Sequence, residues 1–292
     1  NANSLHNMIY TCIILSKYKN IKIPYKIMNI NEYDINKEYL ILSNNDNDIL
    51  DIIKTYFYKF NAYLPHIIVW KDSDNYFIYP KLVELIQAID IRFVYLKLSI
   101  ISIVGANCIR HANIIIIDKL KKVVERFEPY GEFNFSLSND INNFIQDKLC
   151  KPFNYEFVFV QPYPGFQARS DEFNNKNTSY GDPDGYCLAW CFLYLEIKLK
   201  YNHFEDRISI IDILNNYIIN KFNNDFEIHD DQQNKYLTFI RYYGKKLDND
   251  KNILISKYKI DKNVIYHTKL NKNNNQKILT LLQQNIYKLL TS

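Results

Sequence analysis

The sequence has few residues that break regular structure and no long hydrophobic run, since only 6 of its 292 residues are Gly and 8 are Pro. Low Pro and Gly, together with 47% hydrophobic and 15% aromatic residues, exclude collagen-like, linker-like and disordered classes. Apolar runs such as residues 114–117 fall far short of the roughly 18 residues that a membrane-spanning helix needs. We therefore expect a folded chain with no membrane span.

Charge of one sign is also lacking, because 36 basic and 32 acidic residues leave a formal net charge of only +4. So balanced a chain gives no electrostatic reason to expect a nucleic-acid partner. The five cysteines, at positions 12, 108, 150, 187 and 191, form an odd set without a C-x-x-C pair. This pattern is typical of reduced thiols in an intracellular protein, and it disfavours a zinc site.

The length suits one large domain or two small ones. We expect a boundary near residue 95, between an N-terminal extension (1–95) that serves substrate recognition and a catalytic domain (96–292) with a helical C-terminal part. Hydrophobic spacing predicts an α+β chain with a long loop over 162–186. Helices are predicted over residues 46–61, 80–88, 139–149, 187–200, 208–222, 230–247 and 276–290, and strands over 66–70, 93–104, 112–118, 122–128 and 155–161.

Most of the Gly and Pro residues lie between positions 105 and 185, where loops of special backbone geometry favour a functional site. His111 directly precedes the predicted strand 112–118, and Glu128 ends the predicted strand 122–128. If these strands form a hairpin, the residue before one and the residue ending the other lie side by side. This spacing is what a histidine and its orienting carboxylate need.

Cys187 opens a predicted helix after the Gly-containing phrase Asp182-Pro183-Asp184-Gly185-Tyr186. A thiol at a helix N-terminus faces unpaired N–H groups and the positive end of the helix dipole, which favours the thiolate. A neighbouring histidine would complete the activation of this nucleophile. Acyl transfer also needs donors for the oxyanion, and the candidates are the backbone N–H of Cys187 and the side-chain amide of Gln167 or Gln161.

The order of these residues resembles the clan CE cysteine peptidases, which include the Ulp/SENP SUMO proteases, the adenovirus proteinase and related bacterial and viral deubiquitinases. The resemblance consists of a His, an acidic residue 17 positions later at the end of the next strand, a Gln, and a Cys at a helix N-terminus. It covers roughly residues 93–200. It implies an Ulp/adenain-like α+β fold, in which a central twisted sheet carries the catalytic-Cys helix and a helical extension follows.

Carried over by position, the resemblance makes His111 the general base, Glu128 its orienting partner, Cys187 the nucleophile and Gln167 the oxyanion donor. No cofactor and no metal are implied. The chain departs from the family at Ala112, where relatives often have Trp after the histidine. It also departs at Leu188, where relatives commonly have Gly after the cysteine.

Alternatives stay open for three of the four roles. The family glutamine usually lies six or seven residues before the cysteine, where this chain has Tyr180 and Gly181, so Gln161 competes with Gln167. Glu125 and Asp118 compete with Glu128, although strand alternation places Glu125 on the opposite side from Glu128. Cys191 competes with Cys187, but its place inside the helix favours the core.

The resemblance implies a thiol peptidase or isopeptidase that hydrolyses the bond after a Gly-Gly-type C-terminus of ubiquitin or a ubiquitin-like modifier. The expected partners are ubiquitin or ubiquitin-like conjugates. An alternative is a viral endopeptidase that processes structural precursor proteins, because the Asn-, Lys-, Ile- and Tyr-rich composition favours an A/T-rich viral genome and hence a host-cytoplasm or virion location. A further alternative is an effector-type acetyltransferase that uses acetyl-coenzyme A.

Overall fold

The computed structural model describes residues 4–27, 46–60, 62–63, 65–72, 75–104, 107–131, 135–162, 165–170, 186–202, 207–225 and 235–257. Its helices are α1 (Ser4–Lys17), α2 (Asn47–Phe60), α3 (Leu82–Ala88), α4 (Phe135–Ile145), α5 (Phe166–Ser170), α6 (Cys187–Lys200), α7 (Arg207–Asp225) and α8 (Lys235–Lys257). Its strands are β1 (Ile21–Lys22), β2 (Lys26–Ile27), β3 (Ala62–Tyr63), β4 (Ile67–Trp70), β5 (Tyr76–Phe77), β6 (Phe93–Val104), β7 (Asn107–Asp118), β8 (Val123–Phe127) and β9 (Glu156–Val160).

A mixed sheet forms the centre of the fold, with the strand order β5–β4–β6–β7–β8–β9 and with β1 paired to the start of β6. β6, β7 and β8 are antiparallel neighbours, whereas β4–β6 and β8–β9 are parallel pairs. β2 and β3 form a separate two-stranded ladder. Residue 95 lies inside β6, so the sheet continues across the expected boundary. The functional division into 1–95 and 96–292 stays a prediction.

β6 and β7 form a long hairpin whose pairing runs from Phe93↔Asp118 to Val104↔Asn107. The run of β-branched residues in both strands favours this extended conformation. The prediction for β6 is confirmed at both ends, and the predicted β7–β8 hairpin is also confirmed. The predicted start of β7 at residue 112 is wrong, because β7 pairs along the whole length of β6. His111 consequently lies inside β7, opposite Ile100.

Alternating side chains give the sheet two buried faces, and helices cover both. One face, which includes Ile114 and Phe127, belongs to a core that contains side chains of α1, α6 and α8. The other face, which includes Ile115 and Val124, packs with α3 and α4. The prediction that the helix starting at Cys187 packs on the sheet is confirmed. α6 is buried around most of its circumference, as expected of an interior helix.

Two regions differ from the predicted elements. α4 begins at Phe135 rather than at residue 139, and a π-helical turn (Gln146–Cys150) and a last turn (Lys151–Phe153) continue it. The loop predicted over 162–186 contains α5, because the buried ring of Phe166 stacks on Trp190 and stabilises this short helix through tertiary packing. That part of the loop prediction is wrong.

The ends of the chain also depart from the predicted pattern. α1 is not predicted from the sequence, although its buried residues belong to the core next to α6. α8 extends past the expected end at residue 247 to Lys257. The helix predicted over residues 276–290 lies outside the described residues. Within the described residues, no helix has both the length and the apolarity to cross a bilayer.

Candidate active site

The middle of β7 and the end of β8 bring a histidine and a carboxylate together. The β7–β8 ladder ends at the pair Ile114↔Phe127, so Asn113 and Glu128 are the next residues along the two strands. His111 Nε2 and Glu128 Oε1 are 2.6 Å apart. Both side chains are buried, with 7% of His111 and 1% of Glu128 exposed to solvent.

Cys187 is the first residue of α6, and this position points its thiol at the same histidine. The thiol is hydrogen-bonded to the His111 ring and to the backbone N–H of Ala112. Among the described residues, no side chain caps the N-terminus of α6, where the first N–H groups of a helix have no intrahelical acceptor.

The three groups shift one another's protonation equilibria towards charged forms. Burial alone would lower the pKa of His111, but the Glu128 charge and hydrogen bonds to Cys187 and Glu128 raise that pKa to about 10. Burial alone would raise the pKa of Cys187, but the hydrogen bond and charge of His111 lower it from the ordinary 9.0. The described geometry therefore favours a thiolate next to an imidazolium.

The other described cysteine side chains have the opposite shift. Burial raises the pKa of Cys12 to about 12 and that of Cys150 to about 11. Burial, followed by the nearby charges of Cys187 and Glu128, raises the pKa of Cys191 well above its ordinary value. Cys191 Sγ lies 3.4 Å from the carbonyl oxygen of Ala112 and is fully buried. Of these four thiols, Cys187 is the one whose surroundings favour ionisation.

Glu128 accepts hydrogen bonds from three further groups. Its Oε1 accepts the backbone N–H of Tyr130 at 2.8 Å, and its Oε2 accepts Asn113 Nδ2 at 2.9 Å and Arg126 at 3.5 Å. Burial alone would raise the pKa of Glu128, but the charge and hydrogen bond of His111, the charge of Arg126 and the backbone N–H of Tyr130 lower it. Asn113 and Arg126 are not predicted from the sequence, although each lies two residues from a predicted site residue and hence on its face of the sheet.

The competing carboxylates have other partners. Glu125 points to α6, where its oxygens accept hydrogen bonds from Tyr194 Oη at 2.8 Å and from Lys198. Asp118 pairs with Arg92 at 2.8 Å and caps the turn that follows β7. Glu128 is therefore the carboxylate of the three that the structure pairs with His111.

The two candidate glutamines also differ in what their side chains contact. Gln161 donates from Nε2 to the carbonyl of Gly131 at 2.5 Å, and so holds the turn that follows Glu128. Gln167 uses its backbone N–H for Pro129, at 2.9 Å. Within the described residues, its buried Oε1 has no hydrogen-bond partner. An oxyanion needs an N–H donor, and Gln161 already uses its Nε2 for Gly131, so Gln161 is the less available of the two amides. The role of Gln167 stays a prediction.

Backbone contacts fix Gln167 and Glu128 relative to each other. A Cβ at Gly165 would lie 2.0 Å from the carbonyl carbon and oxygen of Tyr130, so a residue with a side chain does not fit there. Gly131, with φ of +92°, provides the left-handed turn on the other side of this contact. Trp190 of α6 donates from Nε1 to Ser170 Oγ at 3.2 Å, which ties α5 to the helix of Cys187.

A metal centre has no support in the part of the chain that the structure describes, where no three His, Cys, Asp or Glu side chains are grouped to hold an ion. The arrangement of His111, Glu128 and Cys187 needs no such ion for its chemistry. A low-pKa thiol, a base and an orienting carboxylate are together competent for nucleophilic attack on a carbonyl.

No protein-family model matches the chain. The chain is 24% identical over 214 residues to a putative ankyrin repeat protein of Acanthamoeba polyphaga mimivirus, a match covering 68% of this chain and 26% of that protein. It is 46% identical over 44 residues to an uncharacterized protein of Invertebrate iridescent virus 6, a match covering 15% of this chain and 28% of that protein. The chain thus spans about a quarter of the length of these curated relatives.

Solved structures similar to this chain include ChlaDub1 from Chlamydia trachomatis, with a TM-score of 0.37, 9% identity and coverage of 84% of this chain and 92% of that chain. The effector protein RavZ of Legionella pneumophila has a TM-score of 0.33 and 10% identity, and the match covers 79% of this chain and 71% of that chain. Both TM-scores lie below 0.5, so these likenesses assign neither a fold family nor an activity to the chain.

Proposed function

We propose that this chain is a cysteine hydrolase of the peptidase or isopeptidase type, with Cys187 as nucleophile. The observation that carries the proposal is the contact between His111 and Glu128 at 2.6 Å, with the Cys187 thiol bound to the same ring. This arrangement lowers the pKa of one thiol in a chain whose other described thiols have raised values. A structural cysteine has no need of such surroundings.

The proposed reaction starts with the Cys187 thiolate, which attacks the carbonyl carbon of the substrate and forms a C–S bond. The carbonyl oxygen becomes an oxyanion, which the backbone N–H of Cys187 and the Gln167 amide stabilise. The His111 imidazolium then gives its proton to the leaving amine, the C–N bond breaks, and a thioester remains. Glu128 holds the ring in the orientation that this transfer needs.

Hydrolysis of the thioester uses the same groups, but His111 now acts as a base instead of an acid. Neutral His111 takes a proton from a water molecule, and the oxygen of that water attacks the thioester carbon. The C–S bond breaks, the acid product leaves, and Cys187 returns as a thiolate beside the imidazolium. The overall reaction consumes one water for each bond cleaved and requires no cofactor.

The proposed substrate is a conjugate of ubiquitin or a ubiquitin-like modifier, cleaved after its Gly-Gly C-terminus inside a cell. The support is the resemblance of residues 93–200 to the clan CE peptidases, and the proposal includes their Ulp/adenain-like fold. In this proposal the N-terminal 95 residues and the C-terminal helices contribute to recognition of the modifier or of its conjugate.

The test is covalent capture by ubiquitin or SUMO that carries a C-terminal electrophile. Wild-type chain is expected to form an adduct that survives denaturing electrophoresis, and Cys187→Ala is expected to abolish it. Cys191→Ala is the matched control, since it removes a thiol one helical turn away, and its adduct is expected to form as in the wild type. Absence of an adduct with every such modifier would overturn the proposed substrate class.

The same samples separate the other two functions considered for this site. Cleavage of a Gly-X-containing precursor without capture of any modifier would indicate a processing endopeptidase. Transfer of radiolabelled acetyl from acetyl-coenzyme A to a protein would indicate an acetyltransferase. Either result would replace the isopeptidase proposal while keeping Cys187 as the nucleophile.

A further inference from the structure

A buried polar chain continues from Glu128 away from the thiol. Asn113 donates from Nδ2 to Glu128 at 2.9 Å, and its Oδ1 accepts a hydrogen bond from Arg126 Nε at 2.7 Å. Arg126 also lies 3.5 Å from Glu128 Oε2. All three side chains are at most 1% exposed. An unbroken sequence of contacts therefore joins Arg126 to His111 through one amide and one carboxylate.

Arg126 is itself held from several sides. One of its terminal nitrogens donates to Asn142 Oδ1 at 2.7 Å and to the carbonyl of Ser138 at 3.3 Å, and both acceptors belong to α4. Its guanidinium lies over the ring of Phe159, 4.8 Å from the centroid. Within the described residues, the partners of Arg126 other than Glu128 carry no charge, so Glu128 balances the charge of the guanidinium.

Within the described residues, the charges around Glu128 come from three elements, and Lys97 of β6 acts on Cys191 behind them. β7 contributes His111, β8 contributes Arg126, and α6 contributes Cys187, with the un-ionised thiol of Cys191 behind it. α4 and β9 contribute uncharged groups to Arg126. With thiolate and imidazolium formed, two negative and two positive groups are buried together, and their sum is zero. Without the guanidinium, the buried set would carry one uncompensated negative charge, which favours uptake of a proton.

We propose that Asn113 and Arg126 are positioning residues of this site: Asn113 fixes the Glu128 carboxylate where it faces His111, and Arg126 supplies the positive charge that balances the buried set. This inference rests on the function proposed above, because it concerns the same thiol. Neither residue touches the substrate or the sulfur. Both act through Glu128 and then through the imidazole.

The test is alkylation of the chain by iodoacetamide from about pH 5 to about pH 10, because the thiolate is the reacting form. The modified cysteine is located by fragment mass spectrometry. Arg126→Gln removes the cation and is expected to raise the pH of half-maximal alkylation of Cys187 by about one unit, so that the rate on the acidic side of the profile falls roughly tenfold. Arg126→Lys keeps the charge and is expected to restore most of the wild-type profile.

Asn113→Asp provides a second, nearly isosteric variant. It keeps an acceptor for Arg126 but places another carboxylate beside Glu128. The pH of half-maximal alkylation of Cys187 is therefore expected to rise as it does in Arg126→Gln. Glu125→Gln is the matched control, because it removes a buried carboxylate from the other side of the same strand. A shift in Arg126→Gln and Asn113→Asp that is absent from Glu125→Gln supports the proposal. If Arg126→Gln does not melt cooperatively, it is not folded, and the alkylation profiles of Asn113→Asp and Arg126→Lys then test the proposal.

Two results would overturn the positioning roles. One is an unchanged profile in the folded variants, and the other is an equal shift in Glu125→Gln, which would indicate a general effect of core damage. Alkylation needs no substrate, so this experiment tests the positioning roles independently of the proposed function. A chain that captures no modifier but shows these shifts loses the proposed substrate and keeps the positioning roles, whereas capture without shifts overturns the roles alone.

Discussion

Two buried carboxylates lie three residues apart near the end of β8, and they serve different purposes. Glu125 is 2% exposed and accepts hydrogen bonds from Tyr194 Oη and Lys198 of α6. Glu128 is 1% exposed and accepts hydrogen bonds from His111, Asn113, Arg126 and the backbone of Tyr130. Each satisfies its buried charge with at least one cation, as a buried carboxylate must.

The difference lies in what each set of contacts leads to. Lys198 is partly exposed, so the Glu125 cluster (Glu125, Tyr194 and Lys198) opens to the surface and joins α6 to the sheet. The Glu128 cluster (Glu128, His111, Asn113 and Arg126) leads through a titratable ring to a thiol. Burial of a charge therefore does not by itself indicate function. Contact with a nucleophile distinguishes the two clusters.

Neutralising each carboxylate in turn is the strongest test of the difference between the two clusters. Glu128→Gln is expected to lower the rate of substrate hydrolysis by about a hundredfold to ten-thousandfold, because the imidazole loses its orienting charge. Glu125→Gln is expected to leave this rate within a few-fold of wild type. The measurement is the single-turnover hydrolysis rate of a ubiquitin-like substrate, with thermal melting of each variant to establish that it is folded. Equal losses in both variants would show that the distinction is false.

The Glu128 cluster also depends on a close backbone approach. Gly165→Ala places a Cβ 2.0 Å from backbone atoms of Tyr130, and backbone cannot move aside as a flexible side chain can. We expect the free energy of unfolding, measured in urea, to fall by about 3 kcal/mol. Gly244→Ala is the matched control, because nothing lies within 4 Å of its added Cβ in α8. That variant is expected to gain about 0.5–1 kcal/mol.

The pH dependence of hydrolysis is a second test of this difference, because it is expected to follow the titration of His111 and of the thiol that His111 contacts. The pKa of Cys187 is lowered below 9.0, so the acidic limb lies below that value, where protonation removes the thiolate. The pKa of His111 is raised to about 10, so the alkaline limb lies near pH 10, where the ring loses the proton that the leaving group needs. We expect roughly tenfold loss per pH unit beyond each limb. A profile unaffected by His111→Gln would contradict this assignment.

Stability measured over the same pH range separates loss of activity from loss of fold. Because the folded-state pKa of His111 lies above its ordinary 6.5, its contribution to stability is complete below 6.5 and is lost as pH rises towards about 10. The pKa of Glu128 is lowered from 4.5, so its contribution is present above 4.5 and is lost as pH falls. Urea unfolding at several pH values measures both.

The smallest expected effect concerns the Glu125 cluster. Tyr194→Phe keeps the ring that stacks on Phe127, with centroids 4.0 Å apart, and removes one donor to Glu125. We expect the free energy of unfolding to fall by about 1 kcal/mol. The alkylation profile of Cys187 is expected to remain that of the wild type. A displaced profile would indicate that the two clusters are coupled through β8.

The elements that carry the site follow from local signals in the sequence. The β-branched run of β6, the charged turn before β8 and the unbroken apolar stretch of α6 each predict their element from residue spacing. Together with the position of Cys187 at a helix start, they also predict which three side chains meet. The register of β7 against β6 extends the strand beyond His111, which only the long-range pairing decides.

The rest of the site depends on contacts that spacing does not reveal. α5 is too short to have a periodic pattern, and it forms because Phe166 and Ser170 pack on Trp190. Asn113 and Arg126 look like ordinary polar residues of a strand, and only burial against α4 and β9 gives them a partner in Glu128. The choice between Gln161 and Gln167 likewise depends on the turn that Gln161 holds.

The pairing of β7 along all of β6 has a consequence for the order of folding. Hairpin contacts between neighbours in sequence form rapidly, whereas contacts between distant segments form late. His111 can therefore reach its strand early, but α6 must close a far longer stretch of chain before Cys187 meets it. Until that docking, the thiol has neither its imidazole nor its charge balance. The lowered pKa of Cys187 therefore arises only after α6 has docked on the sheet.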